Sequence, residues 1–208
     1  MHLSKDFIEA NRALISSHPD WATDGKLVDT DVMNGMELKF EDNTFDASFT
    51  SLGIFAFPDP VKGASELYRT LKPGGVAALT TWKSVGSVPL LHEVEKIVRP
   101  DSEPTEFPSL EAWVVPGKLA QTLRDGGFRD VSESDVLGHA WWPSIEEAAN
   151  RICETLRLMV GSGWTAGEKE KMEEGFLEVM KGGSEHMRRG ECGKVGFEMV
   201  AWTGLAKK

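Results

Sequence analysis

The chain of 208 residues has a formal net charge of −10, and 40% of its residues are hydrophobic. This length suffices for one domain with a sizeable core, and the acidic balance argues against nucleic acid or an anionic membrane as a partner. No apolar run approaches the roughly 20 residues of a membrane span, and the charged N-terminus lacks the apolar stretch of a secretion signal. Two cysteines without metal-like spacing, Cys153 and Cys192, predict free thiols in a cytoplasmic protein.

The first quarter of the chain predicts one helix and two strands. An apolar stripe that begins after Ser4 predicts a helix over residues 4–17. The β-branched stretch "KLVDTDVM" predicts a short strand over residues 26–33. Residues 45–55, "FDASFTSLGIF", are almost continuously apolar or small, which is typical of a strand that is buried on both faces.

A second helix and a third strand follow. Asp59 is a helix cap and Pro60 suits the first helical position, so we expect a helix that runs to about Leu71. The segment "KPGG", residues 72–75, stops this helix and turns the chain. The stretch "VAALTTW", residues 76–82, predicts another buried strand.

The second half of the chain is richer in helix. Its predicted elements are a helix over 88–98, a loop over 99–108, a helix over 116–128 with a glycine stop, a strand within 129–142 and a last strand over 194–208. Ser144 with Glu147, and Thr165 with Glu168, form capping boxes that open two further helices. The alternation of strands and helices predicts a parallel sheet with crossover helices.

Residues 33–82 carry the segments "FEDNTFDA", "FPDP" and "ELYRTLKPGG" in that order. Here the sequence resembles the class I S-adenosylmethionine-dependent methyltransferases, in the branch of the ubiquinone and menaquinone enzymes with a type 11 domain. The resemblance extends over nearly the whole chain from about residue 3. It implies an α/β fold, a Rossmann-like methyltransferase sheet with helices on both faces, a reversed last strand and an inserted helical pair before that strand.

The resemblance also implies a domain division. We expect a single methyltransferase-like domain over residues 1–208. Its core comprises residues 1–142 and 194–208, and a helical insertion occupies residues 144–182.

In this family a glycine-rich loop after the first strand approaches the cofactor. The family pattern at the end of the second strand aligns with "HLSKDF", residues 2–7, so that His2 stands where an acid would hold the ribose. We therefore expect a truncated sheet without its first two strands, and a chain that by itself binds S-adenosylmethionine poorly or not at all. The segment "GSGWTAG", residues 161–167, follows a helix rather than a strand, and we interpret it as a turn between helices.

Two short stretches stand at the positions of the family's remaining cofactor contacts. The resemblance places Asn34, Gly35 and Met36 beside the adenine. It places Thr50, Ser51 and Leu52 at the end of the fourth strand, beneath the methionine part and the substrate. Asn34 replaces the acid that is usual there, although an amide can still form hydrogen bonds. Thr50 and Ser51 can equally serve only to cap a strand end.

The catalytic residues stay unknown at this point. His92 and His139 are candidates for a general base, beside ordinary core or surface roles. Five tryptophans can line a pocket for a flat apolar substrate, or else pack helices onto the sheet; they are Trp82, Trp113, Trp141, Trp142 and Trp164.

Three functions remain open. The first is a methyltransferase-family protein for a small-molecule substrate, deficient in cofactor binding as this chain alone. The second is a cofactor-independent isomerase or cyclase, which requires His92, His139 or a buried carboxylate in a closed pocket. The third is a non-catalytic partner that forms a homodimer or heterodimer through an open sheet edge. We favour the first.

Overall fold

The structure is a computed structural model that describes residue 9, residues 12–18 and residues 30–208. A first helix, α1, is described at residues 12–16, which confirms that part of the predicted N-terminal helix. His2 and residues 26–29 of the predicted strand lie outside the described residues. The predicted strand does not extend through residues 30–33, which have no regular secondary structure.

The elements after residue 45 alternate as the sequence predicts. They are β1 (Phe45–Ser51), α2 (Pro60–Thr70), β2 (Leu71–Val85), α3 (Ser87–Val98), α4 (Pro108–Glu111), α5 (Lys118–Asp125), β3 (Asp130–Trp142), α6 (Ile145–Met159), α7 (Ala166–Lys181), β4 (Arg188–Arg189) and β5 (Val195–Lys207). Short 3-10 helices cover Ile54–Ala56, Gly161–Gly163 and Glu191–Gly193.

The described strands form one sheet in the order β1-β2-β5-β3, with β4 pairing with β5. Strands β1 and β2 are parallel, and β5 is antiparallel to both β2 and β3. Strands β1, β2 and β3 therefore run in one direction and only the last long strand is reversed. This confirms the reversed last strand beside strands that share one direction.

The sequence predicted that the segment 72–75 separates a helix from a later strand. This prediction is wrong. Helix α2 ends at Thr70, but β2 starts directly at Leu71. Between the pairs Phe45–Leu71 and Ala47–Val76 the register shifts, so the one proline and two glycines of this segment lie in a bulge within β2. Gly74 makes the bulge feasible because its φ of 83° is disfavoured for residues with a Cβ.

Strand β1 is not buried on both faces, which corrects the sequence prediction. It ends at Ser51, and its Phe49 side chain is 69% exposed. Within the described residues β1 pairs with β2 alone and lies at the edge of the sheet. An apolar run indicates a strand that suits a central position, but it cannot state which neighbours cover that strand.

The predicted helix caps are present. The Asp59 carboxylate accepts a hydrogen bond from the Lys62 backbone N–H at 2.9 Å, and Pro60 occupies the first helical position. Ser144 accepts from the backbone N–H of Glu147 at the start of α6. Thr165 and Glu168 form the full reciprocal capping box that opens α7.

Two hydrophobic clusters cover opposite faces of the sheet. Helices α2 and α5 pack on one face around Leu79, Leu123 and Phe128. Helices α3, α6 and α7 build the other cluster, with Met172 and Phe176 at its centre. On the sheet, the second cluster includes residues near the carboxyl end of β3 and the start of β5, and the candidate site lies there. No described helix is long and apolar enough to cross a membrane.

Candidate functional site

A cavity of about 340 Å³ lies between the carboxyl end of β2, the start of β5 and one face of α6. We call it the aromatic cavity because four aromatic side chains line it, namely those of Phe55, Trp82, Trp142 and Phe197. Aliphatic side chains complete most of the wall. The volume and the apolar lining are typical of a site for a small organic ligand.

Local sequence patterns explain the walls of the aromatic cavity. Ile152, Leu156 and Met159 recur at helical spacing, which places them together on the inner face of α6. On the sheet, Phe197 pairs with Ala140, and its ring centroid lies 5.2 Å from that of Trp142. The cavity is thus built by residues from distant parts of the chain, which converge only in the folded protein.

Three polar residues line the same cavity, and they are Ser87, Arg151 and Thr155. The Thr155 hydroxyl donates to the backbone carbonyl of Arg151 at 3.3 Å, within α6. No histidine, aspartate, glutamate or cysteine is among the described lining residues. The cavity therefore offers shape, apolar contact and one positive charge, but no side chain that commonly acts as a general base.

The first predicted cofactor stretch forms a tight turn. The Asn34 side-chain oxygen accepts from the Met36 N–H at 3.0 Å, and the Asn34 carbonyl accepts from the Glu37 N–H. Gly35 lies against the Phe57 ring, because a Cβ at this position would be 2.3 Å from the Cζ atom of Phe57. The turn therefore uses the side-chain oxygen of Asn34 as an acceptor, a role that a carboxylate could also fill.

The second predicted cofactor stretch ends β1. Leu52 adopts a left-handed conformation with φ of 48°, which is uncommon for a residue with a Cβ. Its backbone N–H is held by the carbonyl and the hydroxyl of Thr80, at 3.1 and 3.0 Å. The chain therefore turns sharply at the carboxyl end of β1, where ligands bind in open α/β sheets.

The connecting segment 53–59 links both stretches to the aromatic cavity. It follows Leu52 directly, its Phe57 packs on Gly35, and its Asp59 N–H donates to the Met36 sulfur at 3.4 Å. Phe55 of the same segment lines the cavity. The predicted cofactor residues and the cavity are thus neighbours at one end of the sheet.

Neither candidate histidine lines the aromatic cavity. His92 donates through Nε2 to the Thr105 carbonyl at 3.1 Å and so joins α3 to the loop after it. His139 is exposed on β3 and stacks on Trp141, with ring centroids 5.4 Å apart. Both side chains have structural contacts in the described part of the chain, and neither faces the apolar site.

The predicted tryptophans divide between the two roles that the sequence left open. Trp82 and Trp142 line the aromatic cavity. Trp113 and Trp164 are buried in the two hydrophobic clusters, and Trp141 is 41% exposed. Sequence reasoning missed the contributions of Arg151 and Phe197, although the amphipathic spacing of α6 was a signal for the first.

Two buried ionisable side chains lie outside the cavity. Glu95 is 4% exposed, and its carboxylate accepts from the backbone N–H and the hydroxyl of Thr105. Burial raises the pKa of the Cys153 thiol to about 12, so this cysteine stays protonated and unreactive at neutral pH. Cys192 is exposed, and both cysteines are free thiols, as the sequence predicted. Within the described ranges no cluster of three acidic, histidine or cysteine side chains could hold a metal ion.

The fold and a family model indicate which proteins the chain resembles. A strand order of β1-β2-β5-β3 with a reversed β5, and helices on both faces, is a Rossmann-like α/β architecture. The sequence profile of the methyltransferase domain matches residues 1–79. Over these 79 residues the chain is therefore similar to proteins of the methyltransferase family.

Curated methyltransferases resemble the chain at moderate identity over about half of its length. The demethylmenaquinone methyltransferase of Corynebacterium kroppenstedtii is 30% identical over 118 residues, which cover 50% of this chain and 52% of that protein. The ubiquinone/menaquinone biosynthesis C-methyltransferase UbiE of Brucella canis is 44% identical over 128 residues, 52% of this chain and 47% of that protein. The chain spans about half the length of these curated relatives.

Solved structures share the fold. A crystal structure from Bacillus halodurans, assigned as a methyltransferase, aligns with a TM-score of 0.56 and 17% identity, and the match covers 98% of this chain and 79% of that chain. The YcgJ protein from Bacillus subtilis aligns with a TM-score of 0.55 and 12% identity, with the same coverage. At such identities the likeness establishes the architecture alone.

Proposed function

We propose that this chain takes part in methyl transfer from S-adenosylmethionine to a small, flat and largely apolar acceptor that binds in the aromatic cavity. The observation that carries the proposal is the position of this cavity. It opens at the carboxyl end of the sheet and shares Phe55 with the segment that follows β1. Names of the curated relatives, which refer to menaquinone and ubiquinone, support an acceptor with a flat apolar ring.

In this proposal the chain acts mainly by positioning. The sulfonium cofactor supplies the reactive methyl group. The rings of Trp82, Trp142 and Phe197 orient a flat acceptor and keep water away from it. Because no general base lines the cavity in the described structure, we propose that the acceptor itself provides the nucleophile, while the protein holds it in place.

We propose that the predicted cofactor residues keep their family roles. Asn34, Gly35 and Met36 would hold the adenine side, since the turn that they form is anchored on Phe57 beside β1. Thr50, Ser51 and Leu52 would lie beneath the methionine part, at the carboxyl end of β1.

We also propose the division of the chain into a core, residues 1–142 and 194–208, and a helical insertion, residues 144–182. Its support is the position of the two helices: α7 packs on α3 and α6, and α6 lies against β3 and β5 and lines the cavity.

The cofactor-independent isomerase or cyclase has less support. It requires His92, His139 or a buried carboxylate in a closed pocket, and the described lining of the aromatic cavity contains none of these. The buried Glu95 is committed to Thr105 instead. A partner bound along the free edge of β1 is an alternative for assembly, and static light scattering of the purified chain tests it.

Calorimetric titration of the purified 208-residue protein with S-adenosylhomocysteine tests the cofactor half of the proposal. Micromolar binding would support a cofactor site in this chain, formed by one copy or across two. No heat of binding at millimolar ligand, from protein whose circular dichroism shows it folded, would contradict cofactor binding by this chain alone.

A matched pair of variants locates the cofactor. Asn34→Asp should strengthen binding of S-adenosylhomocysteine several-fold, because a carboxylate can accept the same Met36 N–H and restores the acid that is usual in the family. Asn43→Asp makes the same change in charge at an exposed turn with φ of 56°, away from the proposed site. Equal affinities of the two variants would place the adenine elsewhere.

A further inference from the structure

The aromatic cavity contains a hydroxyl that no described group satisfies. Ser87 as a residue is only 9% exposed and lines the cavity, and its side chain has no hydrogen-bond partner among the described residues. Its oxygen is not among the fully enclosed side-chain atoms that lack a partner, so it is reached from the cavity. The hydroxyl is therefore available to a polar atom of a ligand.

Ser87 is also the first residue of α3, a helix of 12 residues. Gly86 precedes it, so no side chain caps the helix. The first-turn N–H groups of a helix lack partners within the helix and carry partial positive charge. Ser87 and Val88 both line the cavity, so the positive end of α3 lies at its wall.

A full positive charge lines the cavity from the helix on its other side. Arg151 of α6 is the one charged residue in the described lining. Its side chain is 60% exposed, and Nη1 lies 3.1 Å from the carboxylate of Glu154, which is itself 55% exposed and does not line the cavity. Such an exposed ion pair is weak and exchanges readily for a ligand anion.

We propose that the aromatic cavity selects a ligand with a flat apolar body and one ionised oxygen, either a carboxylate or an acidic ring hydroxyl. The oxygen accepts from the Ser87 hydroxyl at the start of α3 and is balanced by the Arg151 guanidinium, while the body stacks among the aromatic side chains. This inference rests on the proposed function and specifies the class of its acceptor. A neutral ligand of the same shape can accept a weaker hydrogen bond from Ser87, but it gains nothing from the charge of Arg151.

Two isosteric probes test the charge selection without the cofactor. We would titrate the protein with 2-naphthoate and with 2-naphthamide and follow quenching of tryptophan fluorescence, since Trp82 and Trp142 line the cavity. The expected result is that naphthoate binds about tenfold more tightly than the amide. An Ala140→Leu substitution, which fills the cavity, should weaken both probes.

Variants assign the preference to its residues. Arg151→Gln should weaken the binding of naphthoate and leave the binding of naphthamide unchanged. The loss should be roughly threefold to tenfold, because water partly screens the charge of Arg151. Arg151→Lys should retain the preference. Ser87→Ala should also reduce the preference for naphthoate over naphthamide. Glu154→Gln should keep or increase this preference, because the substitution removes the ion-pair partner of Arg151.

Three results would overturn the inference. They are equal affinities of wild type for both probes, an Arg151→Gln variant that loses affinity for both equally, and binding that Ala140→Leu does not affect. The first two results would contradict the selection of an ionised oxygen but would remain compatible with the aromatic cavity as the acceptor site. Absence of binding by either probe would contradict both this inference and the acceptor site of the proposed function.

Discussion

The two parts of the candidate site are held in different ways. The aromatic cavity is enclosed by the sheet and by α3 and α6, and α7 supports it through a hydrophobic cluster whose central side chains are fully buried. The carboxyl end of β1, by contrast, consists of turns, and its contacts run through Phe57, Asp59 and the Thr80 backbone. One part depends on packing between distant elements, and the other depends on a few local contacts near an exposed strand.

This difference explains why a short sequence motif locates one region and not the other. Short motifs such as "FPDP" locate the β1 end because its geometry is local and each turn requires particular residues. The cavity has no comparable motif, since many combinations of apolar side chains can fill the same space. Local sequence motifs therefore mark the β1 end more readily than they mark the aromatic cavity.

The largest effect that we predict is on stability, and it compares the same substitution, phenylalanine to alanine, in the two regions. Phe176 is fully buried in the cluster behind the cavity, whereas Phe49 on β1 is 69% exposed. Phe176→Ala should reduce the free energy of unfolding by about 3–5 kcal/mol, because it leaves a cavity in a closed core. Phe49→Ala should change it by less than about 0.5 kcal/mol. Urea denaturation followed by circular dichroism measures both.

Equal losses in the two variants would contradict the contrast between the regions. A large loss for Phe49→Ala would mean that this ring is covered in solution, for example by a second copy of the chain along β1. Light scattering on the same samples would then show a species heavier than the 22.9 kDa monomer.

A smaller effect is expected at the turn that carries the predicted adenine residues. The Phe57 ring lies between Gly35 and Gly63, where an added Cβ would approach ring carbons to 2.3 and 2.4 Å. Gly35→Ala should therefore displace the ring and reduce the free energy of unfolding by about 1–3 kcal/mol. Gly167→Ala in α7 is the matched control, because a Cβ there has open space and should be neutral or slightly stabilising.

A double-mutant cycle sharpens this prediction. In a Phe57→Ala background the ring is gone, so Gly35→Ala should cost much less than in the wild type. An unchanged cost would show that the glycine is needed for its backbone conformation rather than for the close approach of the ring.

Much of the fold could be predicted because its signals are local. The cap at Asp59, the capping boxes at Ser144 and Thr165 and the glycine stop after α5 each fix an element boundary by short-range hydrogen bonding or backbone preference. The bulge at residues 72–75 was missed because proline and glycine signal an interruption without stating whether the strand resumes in register. The exposure of β1 was missed since neighbours in a sheet are a matter of tertiary structure.

The site was predictable only in part for the same reason. The resemblance assigned Asn34 to Met36 and Thr50 to Leu52, and both stretches meet the segment 53–59 in the structure. Ser87, Arg151 and Phe197 come from three elements far apart in sequence, and no local pattern relates them. Their convergence follows from the strand order and from the packing of α6 across the sheet.

The smallest effect that we predict concerns pH and the contacts of Glu66 with Arg69 and Leu38, near the turn at residues 34–37. Glu66 of α2 accepts from the Arg69 guanidinium and from the Leu38 N–H, each at 2.8 Å. The hydrogen bond from Arg69, with the bond from Leu38 and the positive charge of Arg69, lowers the pKa of Glu66 below its ordinary value of 4.5. A depressed carboxyl pKa stabilises the fold at pH values above the unfolded pKa, and this stability is lost as the pH falls through the folded pKa.

The measurement is the difference in unfolding free energy between wild type and Glu66→Gln from pH 7 to pH 3. It should be about 1 kcal/mol near neutrality, since the pair is partly screened by water, and it should shrink as the pH falls below 4.5. Glu41→Gln is the control, because Glu41 is exposed and its carboxylate is not a partner of Arg69. A difference that stays constant with pH would mean that Glu66 acts by shape rather than charge. The β1 end would then resemble the cavity in depending on packing.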